Sequence, residues 1–185
     1  MLTYTLHVAG LQRELPICRV TDSLYIGAFV IFGDIELTQS CASELLKKAP
    51  AHDVIITAES KGIPLAYEMA RQEGVNRYLI GRKSAKLYMK NVFTVEVKSI
   101  STDHQQTLCI DGDDAAYMKG RRVLIVDDVI STGEALKAIE TLVERAGGNI
   151  VGRMAILAEG DAQTRSDISY LEKLPVFDKN GNIIG

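Results

Sequence analysis

The stretch that decides the fold runs from Val123 to Ala135 and reads VLIVDDVISTGEA. Its first four residues are branched and apolar, which indicates a strand buried in a parallel sheet. Two adjacent carboxylates, Asp127 and Asp128, end this run, and a small turn with hydroxyls and a glycine follows. Apolar residues at helical spacing then continue to Val143. The pattern predicts a strand, a ligand-binding turn and the start of a helix.

The residues of this turn indicate the chemistry of the ligand. Unpaired buried charge is costly, so the two aspartates are not ordinary core residues. At the carboxyl end of a strand they lie where open α/β sheets bind ligands. Backbone N–H groups at the helix start, with the Ser131 and Thr132 hydroxyls, attract phosphate, and Gly133 permits close approach. Carboxylates instead accept hydrogen bonds from a diol. The predicted ligand is therefore a ribose 5-phosphate.

Length and composition limit the classes of protein to which the chain can belong. A length of 185 residues predicts one domain with a substantial core. The net charge of −3 gives no electrostatic reason to expect nucleic-acid binding. The three cysteines (Cys18, Cys41, Cys109) have no paired spacing, which suits reduced thiols in a cytoplasmic protein. The longest apolar stretch, residues 24–32, is too short to span a bilayer, so no membrane partner is expected.

The order of patterns along the chain predicts an α/β fold. Residues 1–33 contain short, irregular β-rich segments, and strand and helix patterns then alternate. Such alternation is typical of a doubly wound, mainly parallel sheet. The predicted strands are 4–8, 15–20, 24–32, 54–57, 77–80, 93–99, 107–110, 123–126, 150–157 and one near Val176, and the predicted helices are 38–48, 63–73 and 134–146.

The stretch from Val123 to Ala135 resembles the phosphoribosyl pyrophosphate signature of the type I phosphoribosyltransferases along its whole length. The resemblance implies that a base reacts with phosphoribosyl pyrophosphate to give a nucleoside 5′-monophosphate and pyrophosphate, in a homodimer. A doubly wound domain with an unrelated Asp-Asp strand end is the alternative. The resemblance implies catalytic roles for Asp127 and Asp128 and substrate binding by Val129, Ile130, Ser131, Thr132, Gly133, Glu134 and Ala135.

A second loop follows the predicted strand 54–57 and contains Glu59, Ser60, Lys61 and Gly62. Its backbone N–H groups could hold an anion, with Lys61 as a cation. In the resembling family this is the pyrophosphate loop, often written Glu-Ser-Arg-Gly. Lysine at position 61 supplies a point charge where arginine would supply a bidentate fork.

A third loop carries three cations within five residues: Arg82, Lys83 and Lys86. Taken alone, such a run is usually a solvated surface loop. In adenine phosphoribosyltransferases a similar Arg-Lys-x-Gly-Lys-Leu run begins a mobile loop, although Ala85 stands here where glycine is common. The resemblance implies a mobile loop over residues 82–92, substrate binding by Arg82 and Lys83, and a catalytic role for Lys86.

The sequence indicates the base-binding and metal-binding residues less clearly than the phosphate-binding loops. The resemblance implies that residues 1–33 form a hood over a purine, with Phe29 and Phe32 as the aromatic candidates for stacking. Alternation places the two on opposite faces, so at most one stacks on the base. Phe29 is the one assigned to substrate binding, and a core role for either ring is the alternative. After the predicted strand 150–157, Glu159 or Asp161 could accept a hydrogen bond from an amino-bearing base. Magnesium would be carried mainly by pyrophosphate and ribose oxygens, since Mg²⁺ needs few protein ligands. Asp127 and Asp128 would contact it indirectly, and no protein-bound metal is expected.

Three hypotheses stay open. The Tyr-x-x-Glu-Tyr-Gly stretch of adenine-specific members is absent from residues 97–104, and the base-site lysine of xanthine enzymes is absent from residues 158–161. Adenine is favoured because an acid lies near the expected base site. A 6-oxopurine substrate is the first alternative. A regulator that binds phosphoribosyl pyrophosphate without turnover is the second.

Overall fold

The computed structural model describes residues 2–98 and 105–185, which contain eleven strands, four α-helices and one 3₁₀ helix. In chain order they are β1 (Thr3–Val8), β2 (Leu11–Arg19), β3 (Tyr25–Gly27), α1 (Ile35–Leu46), β4 (Val54–Ala58), α2 (Ile63–Glu73), β5 (Leu79–Gly81), β6 (Phe93–Lys98), β7 (Gln105–Ile110), α3 (Gly112–Met118), β8 (Arg122–Ile130), α4 (Glu134–Arg145), β9 (Asn149–Glu159), the 3₁₀ helix (Gly160–Thr164), β10 (Ser169–Leu174) and β11 (Val176–Phe177).

The central layer is a five-stranded sheet in the order β10-β9-β8-β4-β5, and every adjacent pair runs parallel. On one face α1 and α2 pack against Leu124 and Val126 of β8. On the other face α3 and α4 pack against Val123 and Ile125. Successive side chains of β8 therefore alternate between two apolar cores, as the period of a strand requires. The predicted doubly wound parallel sheet is confirmed.

A second sheet is antiparallel and has the order β1-β2-β3-β11. It combines strands from the first 27 residues with Val176 and Phe177 from the other end of the chain. Leu6 and Leu15 of this sheet belong to the same apolar cluster as α1. The sheet is therefore fixed to one face of the central core. Residues 6–33 thus cover that face together with β11, which was not predicted to join them.

Several predicted elements differ from the observed ones. The strand predicted at 24–32 is wrong beyond Gly27, because β3 ends there. The strand predicted at 123–126 continues to Ile130, so the two aspartates lie within β8, and Asp127 pairs with Ala155 of β9. β10 and α3 were not predicted. β10 is an edge strand whose exposed Glu172 and Lys173 interrupt the apolar pattern, and α3 has only seven residues.

Candidate active site

A cleft of about 910 Å³ opens where β4, β8 and β9 end. The carboxyl ends of parallel strands meet at one edge of a sheet, which is where such folds bind ligands. Three separate loops of the sequence analysis contribute to this cleft. The predicted residues that line it are Phe29, Glu59, Ser60, Lys61, Lys83, Asp127, Asp128, Val129, Ser131, Ala135 and Glu159.

Other predicted residues lie beside the cleft and are not part of its described lining: Gly62, Arg82, Lys86, Ile130, Thr132, Gly133 and Glu134. Ile130 is buried in the core, and Lys86 directs its Nζ to Ser84 Oγ at 3.0 Å. A further group of lining residues, not predicted from the sequence, comes from β3, β4, β7, β10 and the segment after β3. These are Ile26, Gly27, Ala28, Val30, Ala58, Gln106, Thr107, Leu108 and Leu174.

The two aspartates form a buried acidic pair. The backbone N–H of Asp128 donates to Asp127 Oδ1 at 2.8 Å. Burial raises the pKa of Asp127, and the neighbouring charge of Asp128 raises it further. The side chain of Asp128 is 4% exposed, and its Oδ2 lies 3.1 Å from the Nζ of Lys61. Within residues 2–98 and 105–185, no donor makes an aligned hydrogen bond to this Oδ2.

Gly62 is required by packing against this pair. A Cβ at position 62 would lie 2.1 Å from Thr57 Oγ1 and 3.0 Å from Asp127 Oδ1. Gly62 is also the N-cap of α2 and has no positive φ. The glycine therefore allows the second loop to pass close to β8. As a result, the loop predicted for pyrophosphate and the acidic pair predicted for ribose are in direct contact.

Glu59 joins the second loop to the cationic loop. Its Oε2 accepts a hydrogen bond from the backbone N–H of Lys83 at 3.0 Å and lies 3.3 Å from Arg82 Nε. These contacts, with the Lys83 N–H first, lower the pKa of Glu59. Arg82 also exchanges two backbone hydrogen bonds of 2.8 Å with Cys109 of β7. Arg82 is therefore an anchored residue at the start of the loop, and Lys83 is the cation that lines the cleft.

The turn between β8 and α4 is the loop predicted to bind phosphate. Gly133 is the N-cap of α4 with φ +80°, a conformation that favours glycine. A Cβ at Gly133 would also lie 2.6 Å from Nη1 of Arg165, a cation that the sequence analysis missed. Arg165 forms a bidentate pair with Asp167 at 2.9 and 2.7 Å. Its position after the 3₁₀ helix carries no phosphate-loop signal in the sequence.

The cleft lining also includes apolar residues and, at the end of β9, the acid Glu159. Phe29 is 4% exposed and packs into the core that α1 shares, whereas Phe32 is 50% exposed. Phe29 thus has the core role that the sequence left open, and the strand alternation expected for the two rings is absent because β3 ends at Gly27. Glu159 lies at the end of β9, and burial raises its pKa. Asp161 is exposed and does not line the cleft, which leaves Glu159 as the acid at the end of β9.

The doubly wound parallel sheet with a polar cleft at the carboxyl ends of its strands defines an α/β protein of the ligand-binding class. The chain belongs to the phosphoribosyl transferase domain family, which matches residues 36–182. It is 32% identical over 147 residues to an adenine phosphoribosyltransferase of Acetivibrio thermocellus, covering 76% of this chain and 80% of the relative. It is 30% identical over 160 residues to a hypoxanthine/guanine phosphoribosyltransferase of Methanococcus voltae, covering 80% and 79%.

A solved structure of an adenine phosphoribosyltransferase from Thermoanaerobacter pseudethanolicus superimposes with a TM-score of 0.61 at 26% identity. The match covers 75% of this chain and 79% of that one. The fold expected from the resemblance is thus confirmed. The chain is a phosphoribosyltransferase, an enzyme, and the hypothesis of a non-catalytic regulator is not supported.

Proposed function

We propose that this enzyme transfers the 5-phosphoribosyl group from phosphoribosyl pyrophosphate to a purine, with adenine favoured. The observation that carries the proposal is the buried Asp128 Oδ2, which lacks an aligned donor and faces a cleft. A buried acceptor without a donor is costly, and a ribose hydroxyl would satisfy it. The turn before α4, which follows Asp128 in the chain, and Lys61, whose Nζ lies 3.1 Å from Asp128 Oδ2, supply the groups for the 5-phosphate and the pyrophosphate.

The proposed roles follow from charge. Displacement at the anomeric carbon passes through an oxocarbenium-like state, as in glycoside cleavage. Asp127 and Asp128 hold the ribose hydroxyls and stabilise the developing positive charge. The turn of residues 129–135 binds the 5-phosphate. The second loop binds pyrophosphate together with Lys83, and residues 82–92 are the mobile loop that brings Lys86 to the leaving group.

Magnesium is the proposed cofactor, and the residues fit it. The cleft offers two adjacent carboxylates and no soft ligand that would favour another metal. Mg²⁺ bound to the diphosphate would neutralise charge on the leaving group. Asp127 and Asp128 would reach such an ion through ribose hydroxyls and water. No group of three or more possible metal ligands occurs in the described ranges.

The proposed choice of base depends on Glu159. An ionised Glu159 accepts a hydrogen bond from an exocyclic amino group, which favours adenine. The second candidate is a 6-oxopurine, because burial raises the pKa of Glu159 and a protonated carboxyl can donate to a carbonyl oxygen. The similarity to a hypoxanthine/guanine enzyme supports this candidate too.

The test is pyrophosphate release from phosphoribosyl pyrophosphate with adenine, hypoxanthine, guanine and xanthine in turn, with orotate as a pyrimidine control. We expect the highest kcat/KM with adenine. A higher value with hypoxanthine would select the second candidate. Turnover of orotate alone, or of no base, would refute the proposal that the substrate is a purine.

Two further properties are proposed. Cys18, Cys41 and Cys109 are free thiols, which supports a reducing compartment such as the cytoplasm. No helix in the part of the chain that the structure describes could cross a membrane. The proposed homodimer predicts a mass of twice 20.3 kDa in light scattering.

A further inference from the structure

The contact between Lys61 and Asp128 is an incomplete ion pair. The two charged atoms are 3.1 Å apart, yet the ammonium does not make an aligned hydrogen bond to the Oδ2 that it approaches. Asp128 is 4% exposed, whereas the Lys61 side chain is 45% exposed. A half-exposed lysine on a flexible stem holds such a pair weakly. Lys61 is therefore an exchangeable counter-ion for a fixed, buried carboxylate.

Lys61 can pair with two anions of the same cleft, the Asp128 carboxylate and the diphosphate of the proposed substrate. Without substrate, the charge of Asp128 requires a cation, because a buried carboxylate with no partner is strongly unfavourable. Once a ribose hydroxyl donates to Asp128, that requirement falls and the pyrophosphate oxygens become the stronger attraction. This step rests on the substrate proposed above. We infer that Lys61 neutralises Asp128 in the free enzyme and moves to the diphosphate when substrate binds.

The exchange has a consequence for metal binding. In the free enzyme a divalent cation would compete with the Lys61 ammonium for the Asp128 carboxylate. The two positive charges also repel each other at close range. Lys61 therefore weakens the binding of a divalent cation to the acidic pair as long as the diphosphate is absent. Lysine suits this role better than arginine because it is a compact point charge, whereas a guanidinium forms a bidentate pair that holds a carboxylate in place.

The experiment measures Mn²⁺ binding to the full chain by electron paramagnetic resonance, without phosphoribosyl pyrophosphate or base. The variants are Lys61→Met and Lys83→Met. Both remove one lysine from the cleft lining, but only Lys61 contacts an aspartate. We expect Lys61→Met to bind one Mn²⁺ at least about tenfold more tightly than the wild type. Lys83→Met should bind it as weakly as the wild type. The double variant Lys61→Met/Asp128→Asn should lose the gained site.

Equal Mn²⁺ affinity of wild type and Lys61→Met would overturn the inference. An equal gain in both lysine variants would also overturn it, because a general loss of positive charge would then suffice. If Lys61→Met fails to fold by circular dichroism, Lys61→Gln takes its place in the same comparison. The Mn²⁺ measurement uses no purine base, so it tests the inference about Lys61 separately from the proposed function. A failure of the proposed function would appear instead as absent turnover of the purine bases by the wild-type enzyme.

Discussion

Asp128 combines burial, an available acceptor oxygen and a position in the cleft. Asparagine keeps its shape and removes its charge, so Asp128→Asn tests the charge alone. We expect kcat to fall by about 10²–10³, the size seen when one group that stabilises transition-state charge is lost. The free energy of unfolding should change by less than about 1 kcal/mol, because the half-exposed Lys61 holds the pair weakly. A near-normal kcat in a steady-state assay would contradict the assigned role.

Asp127 gives a prediction about pH. Its pKa is raised in the folded chain by burial and by Asp128. Between the unfolded and folded pKa values the folded chain holds the extra proton, so its stability falls as pH rises above about 4. One proton accounts for at most about 1.4 kcal/mol per pH unit. Asp127→Asn should remove this decline. Urea unfolding without ligand at pH 5 and pH 7 measures it, and equal pH slopes for both proteins would count against the effect.

At the scale of elements, the loop of residues 82–92 is attached at both ends. Arg82 pairs with Cys109, and the backbone N–H of Lys90 donates to Asp111 Oδ2 at 2.8 Å. Between them Lys83 is exposed and lines the cleft. Alanine at position 83 keeps the backbone bond to Glu59 and removes the ammonium. Because both ends of the loop are attached, a substitution at Lys83 should leave the loop in place. Its effect on kinetics then measures the loss of the phosphate contact.

We expect Lys83→Ala to raise the KM for phosphoribosyl pyrophosphate about tenfold or more, the value of one charge-assisted hydrogen bond. The KM for the base should change much less. Lys90→Ala is the matched control, because Lys90 is an exposed lysine of the same loop that does not line the cleft. Initial-rate kinetics measure both constants. An effect confined to the base would exclude pyrophosphate contact by Lys83.

The elements also explain which parts of the site could be predicted from the sequence. Loops that follow parallel strands meet at one edge, so the local patterns at Glu59 and Asp127 were sufficient to place them in one cleft. Gln106 and Thr107 lie in an antiparallel hairpin and carry no phosphate-loop pattern, so only the tertiary structure brings them there. The contact of Arg165 with Gly133 likewise depends on the path of the chain after β9.

At the scale of the whole molecule, strands from both ends of the described chain meet in the antiparallel sheet beside the cleft. Phe177 of β11 is 1% exposed and packs against the ring of Tyr4, with centroids 5.3 Å apart. Its strand pairs with β3, where Phe177 lies opposite Tyr25. The residues that follow β3, including Phe29, line the cleft. Packing at Phe177 thus positions the segment proposed to cover the purine.

Phe177→Ala should cost about 3–5 kcal/mol of unfolding free energy, as expected when a buried aromatic ring is removed. The substitution removes packing from β3, which precedes the segment proposed to cover the purine, whereas the proposed 5-phosphate loop joins β8 to α4. The KM for the base should therefore rise more than the KM for phosphoribosyl pyrophosphate. Ile183→Ala is the control, since Ile183 bridges to Phe177 but is 62% exposed. Denaturant unfolding and initial rates at a temperature where the variant stays folded measure both effects. Equal changes in the two KM values would show that the antiparallel sheet stabilises the molecule without shaping the base site.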